Sequence, residues 1–283
     1  MVLESLINPF KAKDKPWEMF FIGLLYSSIA ILLSNWVFKE QASLLMVFLT
    51  VMACVPLLYA TMKAEEAEAK PGVDEKKILI KHGKTLKFLM YMFFGFIVAF
   101  VFWYVALPTG TIKTLFQTQT ITIQSINARA ISGFSVKMAA FSSIFFNNIK
   151  VLIFCILFSF LYGAGAIFIL TWNASVIAAA IGNFIRTNLS SYASAVGFQK
   201  LGAYLHIVTI GLLKYTIHGI PEIAAYFVAG LAGGIISVAI IKESFGTKGF
   251  AKAIIDSSDL IIISVLLTFL AALLEVFVTP IIF

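Results

Sequence analysis

Several stretches of this 283-residue chain run for about 20 residues with almost no charge, the length an α-helix needs to cross the hydrocarbon core of a bilayer. In such a core no water is at hand for the backbone N–H and C=O groups, so a spanning segment satisfies them internally by coiling into a helix. With 60% apolar and only 12% charged residues, a soluble globule is excluded. No long polar stretch interrupts the pattern, which argues for one integrated membrane domain and against a separate soluble enzyme domain. The expected fold class is all-α: a polytopic transmembrane helix bundle with about seven crossings, one short re-entrant or interfacial helical segment and two amphipathic helices.

Taken in order, the expected spans are 17–38, 42–62, 88–107, 149–171, 201–218, 221–241 and 259–280. Lys11, Lys13 and Lys15 precede Trp17, which suits the headgroup level. The first run is too long for a secretory leader and lacks a small-residue cleavage site, so it reads as a retained span. Residues 63–87 hold seven lysines against five acids, with Pro71-Gly72 as a helix stop, and read as a solvated loop attracted to phospholipid. Between 109 and 147 the apolar residues Ile112, Leu115, Phe116, Ile123 and Ile126, then Phe134, Met138, Phe141 and Phe145, fall on helical faces. They predict two helices lying in the interface or packed on the bundle's end. The segment 174–185 is only about 12 residues long, which favours a re-entrant piece. Residues 1–140 thus form an N-terminal region of three spans, a charged loop and an interfacial helix, and 141–283 a C-terminal region. Cys54 and Cys155 sit in apolar runs as small packing residues and form no disulfide framework.

Lysine and arginine placement orients the set. If 174–185 does not cross, fifteen positive residues face the side of the N-terminus and five the other, with Lys214 inside a span; if it crosses, the split is ten to ten. The positive-inside rule therefore prefers seven crossings, a cytoplasmic N-terminus and an integral, multi-pass cell-membrane protein. The net charge of +7 is assigned to orientation and lipid headgroups. Nucleic acid is not expected as a partner, because no zinc-ligand spacing or aromatic-basic interleaving accompanies it.

That topology brings Asn147, Asn148, His218, Glu222 and Glu275 near the same ends of their helices. A lone carboxylate near the bilayer centre costs roughly 2.5–3.5 kcal/mol on insertion scales, so Glu222 and Glu275 are expected to face the bundle and find donors. Lys214, one turn before His218, is the expected counter-ion. The leading reading of this set is a hydrogen-bonded network that fixes helix register. A proton or ion pathway comes second. A metal site on His218, Glu222 and Glu275 comes third, since no recognised ligand spacing is present. Asn173, Asn183 and Arg186 flank the short segment and read as caps and a headgroup contact, or as a substrate site at a broken helix. His82 and His206 read as a loop residue and a packing residue. Gly163, Gly165, Gly230, Gly233 and Gly234 are candidates for close helix packing, and Gly219-Ile220-Pro221 predicts a turn between two spans. No phosphate-binding loop, nucleophile elbow or dinucleotide fingerprint occurs, and no cofactor is expected.

Phe146-Asn147-Asn148-Ile149, Tyr162-Gly163-Ala164-Gly165, Trp172-Asn173, His218-Gly219-Ile220-Pro221-Glu222, Ala232-Gly233-Gly234 and Leu274-Glu275-Val276-Phe277-Val278-Thr279-Pro280 occur in one order. In this the C-terminal half, about 141–280, resembles the stage II sporulation protein M family (DUF95) of integral membrane proteins. Ala174 stands where that family usually has glycine, and Ile217 where it often has proline. In endospore formers the family member is linked to a membrane complex with peptidoglycan-remodelling partners, so the resemblance implies a scaffold or anchor. The expected function is a membrane scaffold or assembly subunit that contacts membrane lipids and other membrane or envelope proteins, with a homodimer through Gly230 and Gly234 as one option. The alternative is a transporter or permease component that uses Lys214, His218, Glu222 and Glu275 to bind an ion or proton. An intramembrane hydrolase is third and lacks a convincing metal or nucleophile.

Overall fold

The computed structural model describes residues 15–68, 75–127, 134–162, 166–190, 197–242 and 246–283. Among them there is no strand. The helices are α1 (Glu18–Val37), α2 (Ala42–Glu68), α3 (Glu75–Ala106), α4 (Thr109–Leu115), α5 (Gln117–Asn127), α6 (Phe134–Tyr162), α7 (Ala166–Ser190), α8 (Gly197–Lys242), α9 (Lys248–Leu273) and α10 (Thr279–Ile282). A 3₁₀ turn, Lys39–Gln41, separates α1 from α2, and a π-helical turn, Leu274–Val278, separates α9 from α10. Seven of the described helical segments are long and apolar enough to cross a membrane. The chain is an all-α, multi-pass membrane protein.

The chain divides into two compact units. The first comprises Met1–Thr120 and Thr171–Ala179. Here α1 packs on α2 and, most extensively, on α3. A Cβ at Gly23 would strike the Met92 carbonyl and one at Gly95 would strike that of Phe20, so the two backbones meet where neither carries a side chain. The helices run parallel: α4, which follows α3, packs against the turn that ends α1. Aromatic side chains fill the interior, among them Phe88, Phe93, Phe96 and Phe100 on α3, and Phe116 stands edge-on to Tyr104 with ring centres 4.9 Å apart.

The second unit comprises Ile121–Leu170 and Ala180–Phe283. Its centre is α8, packed on α9 and α6. Gly233 allows that approach, because a Cβ there would collide with the Ile156 carbonyl of α6. Phe141 lies edge-on to Phe269 at 5.3 Å and tilted against Phe277 at 6.3 Å, which ties the start of α6 to α9 and the π turn. Ser264 and Thr268 bond back to the carbonyls of Ile261 and Ser264, satisfying buried hydroxyls within α9.

Four expectations are corrected. The turn expected at Gly219-Ile220-Pro221 is absent, and α8 is one continuous 46-residue helix with Pro221 inside it. Proline forfeits one bond to the residue four before it, whereas a break in lipid would strand several N–H and C=O groups, so continuity is the cheaper solution. The segment 174–185 is not a short re-entrant piece but the middle of α7, whose Ile167–Ser190 stretch has spanning length. Trp172 and Asn173, where the apolar pattern predicts the end of a span, are accommodated in the same helix, and the expected 149–171 span is divided between α6 and α7. The 134–147 stretch is no separate interfacial helix, since it is continuous with the rest of α6. Ile112, Leu115 and Phe116 are buried in the first unit, in keeping with the packed alternative of the two readings of 109–147.

Candidate functional site

The polar residues of α8 fall at helical spacing, so Tyr215, His218, Glu222 and Tyr226 share one strip. Tyr226 is 1% exposed, and its hydroxyl donates to Glu222 Oε1 at 2.8 Å. The rings of Tyr215 and His218 meet edge-on with centres 6.2 Å apart. Facing this strip is the π turn, which carries Glu275. A π turn inserts one residue into the helical repeat and re-aims the side chains beyond it. Thr279, just after the turn, donates to the Leu274 carbonyl at 3.0 Å and lies 3.4 Å from His218 Nδ1. Glu275 is within electrostatic range of Glu222, Tyr215 and Tyr226. His218, Glu222 and Glu275 are each half-buried.

The remaining expected site residues divide. Lys214 is not paired with a glutamate: its Nζ lies 5.3 Å from the centre of the Phe184 ring of α7. Lys15 pairs with Glu18, and among the described residues neither Glu222 nor Glu275 has a cation within pairing distance. Asn148 is 6% exposed on α6 and Asn147 is exposed; among the described residues no hydrogen bond joins either to the α8 strip. Asn173 is half-buried in the part of α7 that belongs to the first unit, while exposed Asn183 and half-buried Arg186 belong to the second. No group of three His, Cys, Asp or Glu side chains placed to hold a metal ion occurs among the described residues. His218 Nδ1 faces Thr279 and Glu222 accepts from Tyr226, so these ligand atoms are directed at hydroxyls. Of the packing glycines, Gly233 is in tight contact, Gly234 has open space beside it and Gly230 is half-buried; Gly163 and Gly165 lie outside the described residues.

The sequence model of the stage II sporulation protein M family matches residues 89–280. The chain belongs to that family. The sporulation protein M match begins in α3, well before position 141, so it takes in a spanning helix and the 109–147 region that the motif resemblance did not reach. It also covers the whole α8 strip and the π turn. Comparison with curated proteins and with solved structures found no match.

Two polar or glycine features of this sporulation protein M family member were missed from sequence. Gln119 is fully buried, and its Nε2 donates to the Ser43 carbonyl and to Ser175 Oγ, each at 3.1 Å. Ser43 and Thr118 hydroxyls share a 2.7 Å bond beside it, and Ser175 Oγ donates to the Trp172 carbonyl at 2.7 Å. The α1–α3 glycine contact was legible: Gly23 and Ser27, like Gly95 and Ala99, are small residues four apart. The Gln119 knot was not, because its members come from three helices and none stands out in its own run.

Proposed function

We propose that this sporulation protein M family member is a membrane scaffold or assembly subunit, oriented with its N-terminus in the cytoplasm, that acts by packing and recognition rather than by turnover. Its partners are membrane lipids and other membrane or envelope proteins. The observation that carries this reading is the 2.8 Å bond from Tyr226 to Glu222, which gives a membrane-embedded carboxylate a fixed structural partner. His218 and Thr279 extend the same pattern across to the π turn. Networks of this kind hold helices in register without moving anything through the membrane.

A second reading is favoured by a specific observation. Glu222 and Glu275 lie within electrostatic range of each other with no cation paired to either among the described residues, and a π turn carrying a carboxylate is a frequent feature of functional sites. On that reading the pair binds a proton or a cation in a transporter component.

One pair of measurements separates the two. For a scaffold, Tyr226→Phe in detergent lowers stability by about 1–3 kcal/mol, the cost of stripping a buried group of its partner. Glu222→Gln costs less, because the amide oxygen still accepts from Tyr226. Proteoliposomes of the unaltered protein then carry no proton or cation flux. A flux that both Glu222→Gln and Glu275→Gln abolish would overturn the scaffold reading in favour of transport.

A further inference from the structure

Away from the α8 strip, α1 and α3 border a groove of about 360 Å³ lined by Trp17, Phe20, Phe21, Tyr91 and Phe94. The walls are aromatic: Phe21 stands edge-on to Trp17 at 5.9 Å and to Phe20 at 5.3 Å. Trp17, Phe21, Tyr91 and Phe94 are exposed, so the slot opens to the surroundings. The Gly23–Gly95 contact fixes the two helices close together beside it, which makes this a concavity between two rods.

We infer that this groove holds one acyl chain of an anionic phospholipid, with the headgroup phosphate at Lys15 and Lys87. The two lysines stand at the same end of the groove because α1 and α3 run parallel. Lys15 lies two residues before Trp17 and Lys87 one helical turn before Tyr91, and both are exposed. Glu18 approaches Lys15 at 3.7 Å, but both side chains are well exposed, and such a surface pair is worth little and yields readily to a phosphate. The residual positive charge sits where the apolar slot ends, with Trp17 and Tyr91 among its lining residues, side chains that favour the headgroup level. An apolar slot with a cationic mouth complements an anionic lipid. It does not complement a zwitterionic headgroup, nor a second copy of this chain, whose corresponding end is equally basic.

Native mass spectrometry of the detergent-solubilised full chain, offered phosphatidylglycerol and phosphatidylcholine of equal chain length, tests this. The expected result is retained phosphatidylglycerol favoured roughly tenfold, the size set by two surface lysines partly offset by one carboxylate. Lys15→Gln with Lys87→Gln brings the preference to near one. Phe21→Ala with Tyr91→Ala lowers retention of both lipids while the lysines remain, which separates a seated chain from a headgroup merely adsorbed on charge. Equal retention by the unaltered protein, a preference that survives loss of both lysines, or retention indifferent to the aromatic substitutions would each overturn the inference. So would a dimer mass that excludes lipid.

Discussion

Two adjacent glycines on α8 have opposite surroundings. A Cβ at Gly233 would drive into the Ile156 backbone, which cannot swing aside as a flexible side chain can; a Cβ at Gly234 meets nothing within 4 Å. Glycine inside a helix costs roughly 0.5–1 kcal/mol relative to alanine through backbone entropy. Gly234→Ala is therefore expected to stabilise the protein by about that amount, whereas Gly233→Ala destabilises it by about 1–3 kcal/mol by forcing α6 and α8 apart. Thermal unfolding in one detergent decides it, and equal shifts for both would show that the α6–α8 approach is looser than described. At this scale the sequence was half legible. His218 and Glu222 share one strip because α8 runs unbroken through Pro221, with Tyr226 at the next i+4 position; the expected turn sets them on separate helices and hides that strip. The partner of Lys214 was not predictable, because an aromatic face from another helix leaves no mark in the local pattern around a lysine. Gly233 and Gly234 look alike in sequence, and only the position of α6 tells them apart.

Continuity through Pro221 governs the behaviour of α8 as an element. At 1.5 Å per residue its 46 residues extend for about 69 Å, more than twice the ~30 Å of a hydrocarbon core. The proline leaves the Ile217 carbonyl without its usual donor and places a ring against the preceding turn. Pro221→Ala in a continuous helix restores that bond and is expected to raise stability by about 1–3 kcal/mol, read as an upward shift of the unfolding midpoint. Had Pro221 opened a second helix after a turn, it would occupy a first-turn position where no donor is needed, and alanine would leave stability unchanged or lower it. The local pattern predicts a turn because Gly219 and Pro221 are strong local punctuation. What it could not weigh is the cost of broken backbone bonding in lipid, which depends on where the segment sits in the bilayer. The same blindness shortened α7 at Trp172-Asn173. By contrast, long uninterrupted apolar runs such as 88–107 needed no such context and were placed correctly.

Correcting two helices changes the topology of the whole chain without changing its number of crossings. Joining 201–218 and 221–241 into α8 removes one crossing, and letting α7 cross restores it. If each of the seven segments crosses once, alternation along the sequence assigns the connection between α7 and α8 to the side opposite the N-terminus. The ten-to-ten charge split counted against a crossing α7 assumed two spans where there is one. With a single α8, the count for the N-terminal side is Lys11, Lys13, Lys15, the seven lysines of 63–87, Lys242, Lys248 and Lys252, thirteen residues, against Lys39, Lys113, Arg129, Lys137 and Lys200 for the other side, with Lys150, Arg186 and Lys214 inside spanning helices. The positive-inside bias thus remains compatible with the cytoplasmic N-terminus proposed above. Ser190 is exposed at the end of α7, and the native cysteines, Cys54 and Cys155, are both buried. Ser190→Cys is therefore expected to react with a membrane-impermeant maleimide added to intact cells, as is Gly110→Cys in the first turn of α4, where an added side chain meets nothing within 4 Å. Labelling of Gly110→Cys but not Ser190→Cys would place the 191–196 stretch in the cytoplasm and return α7 to a segment that enters and leaves by the same face; labelling of neither would invert the orientation of the protein.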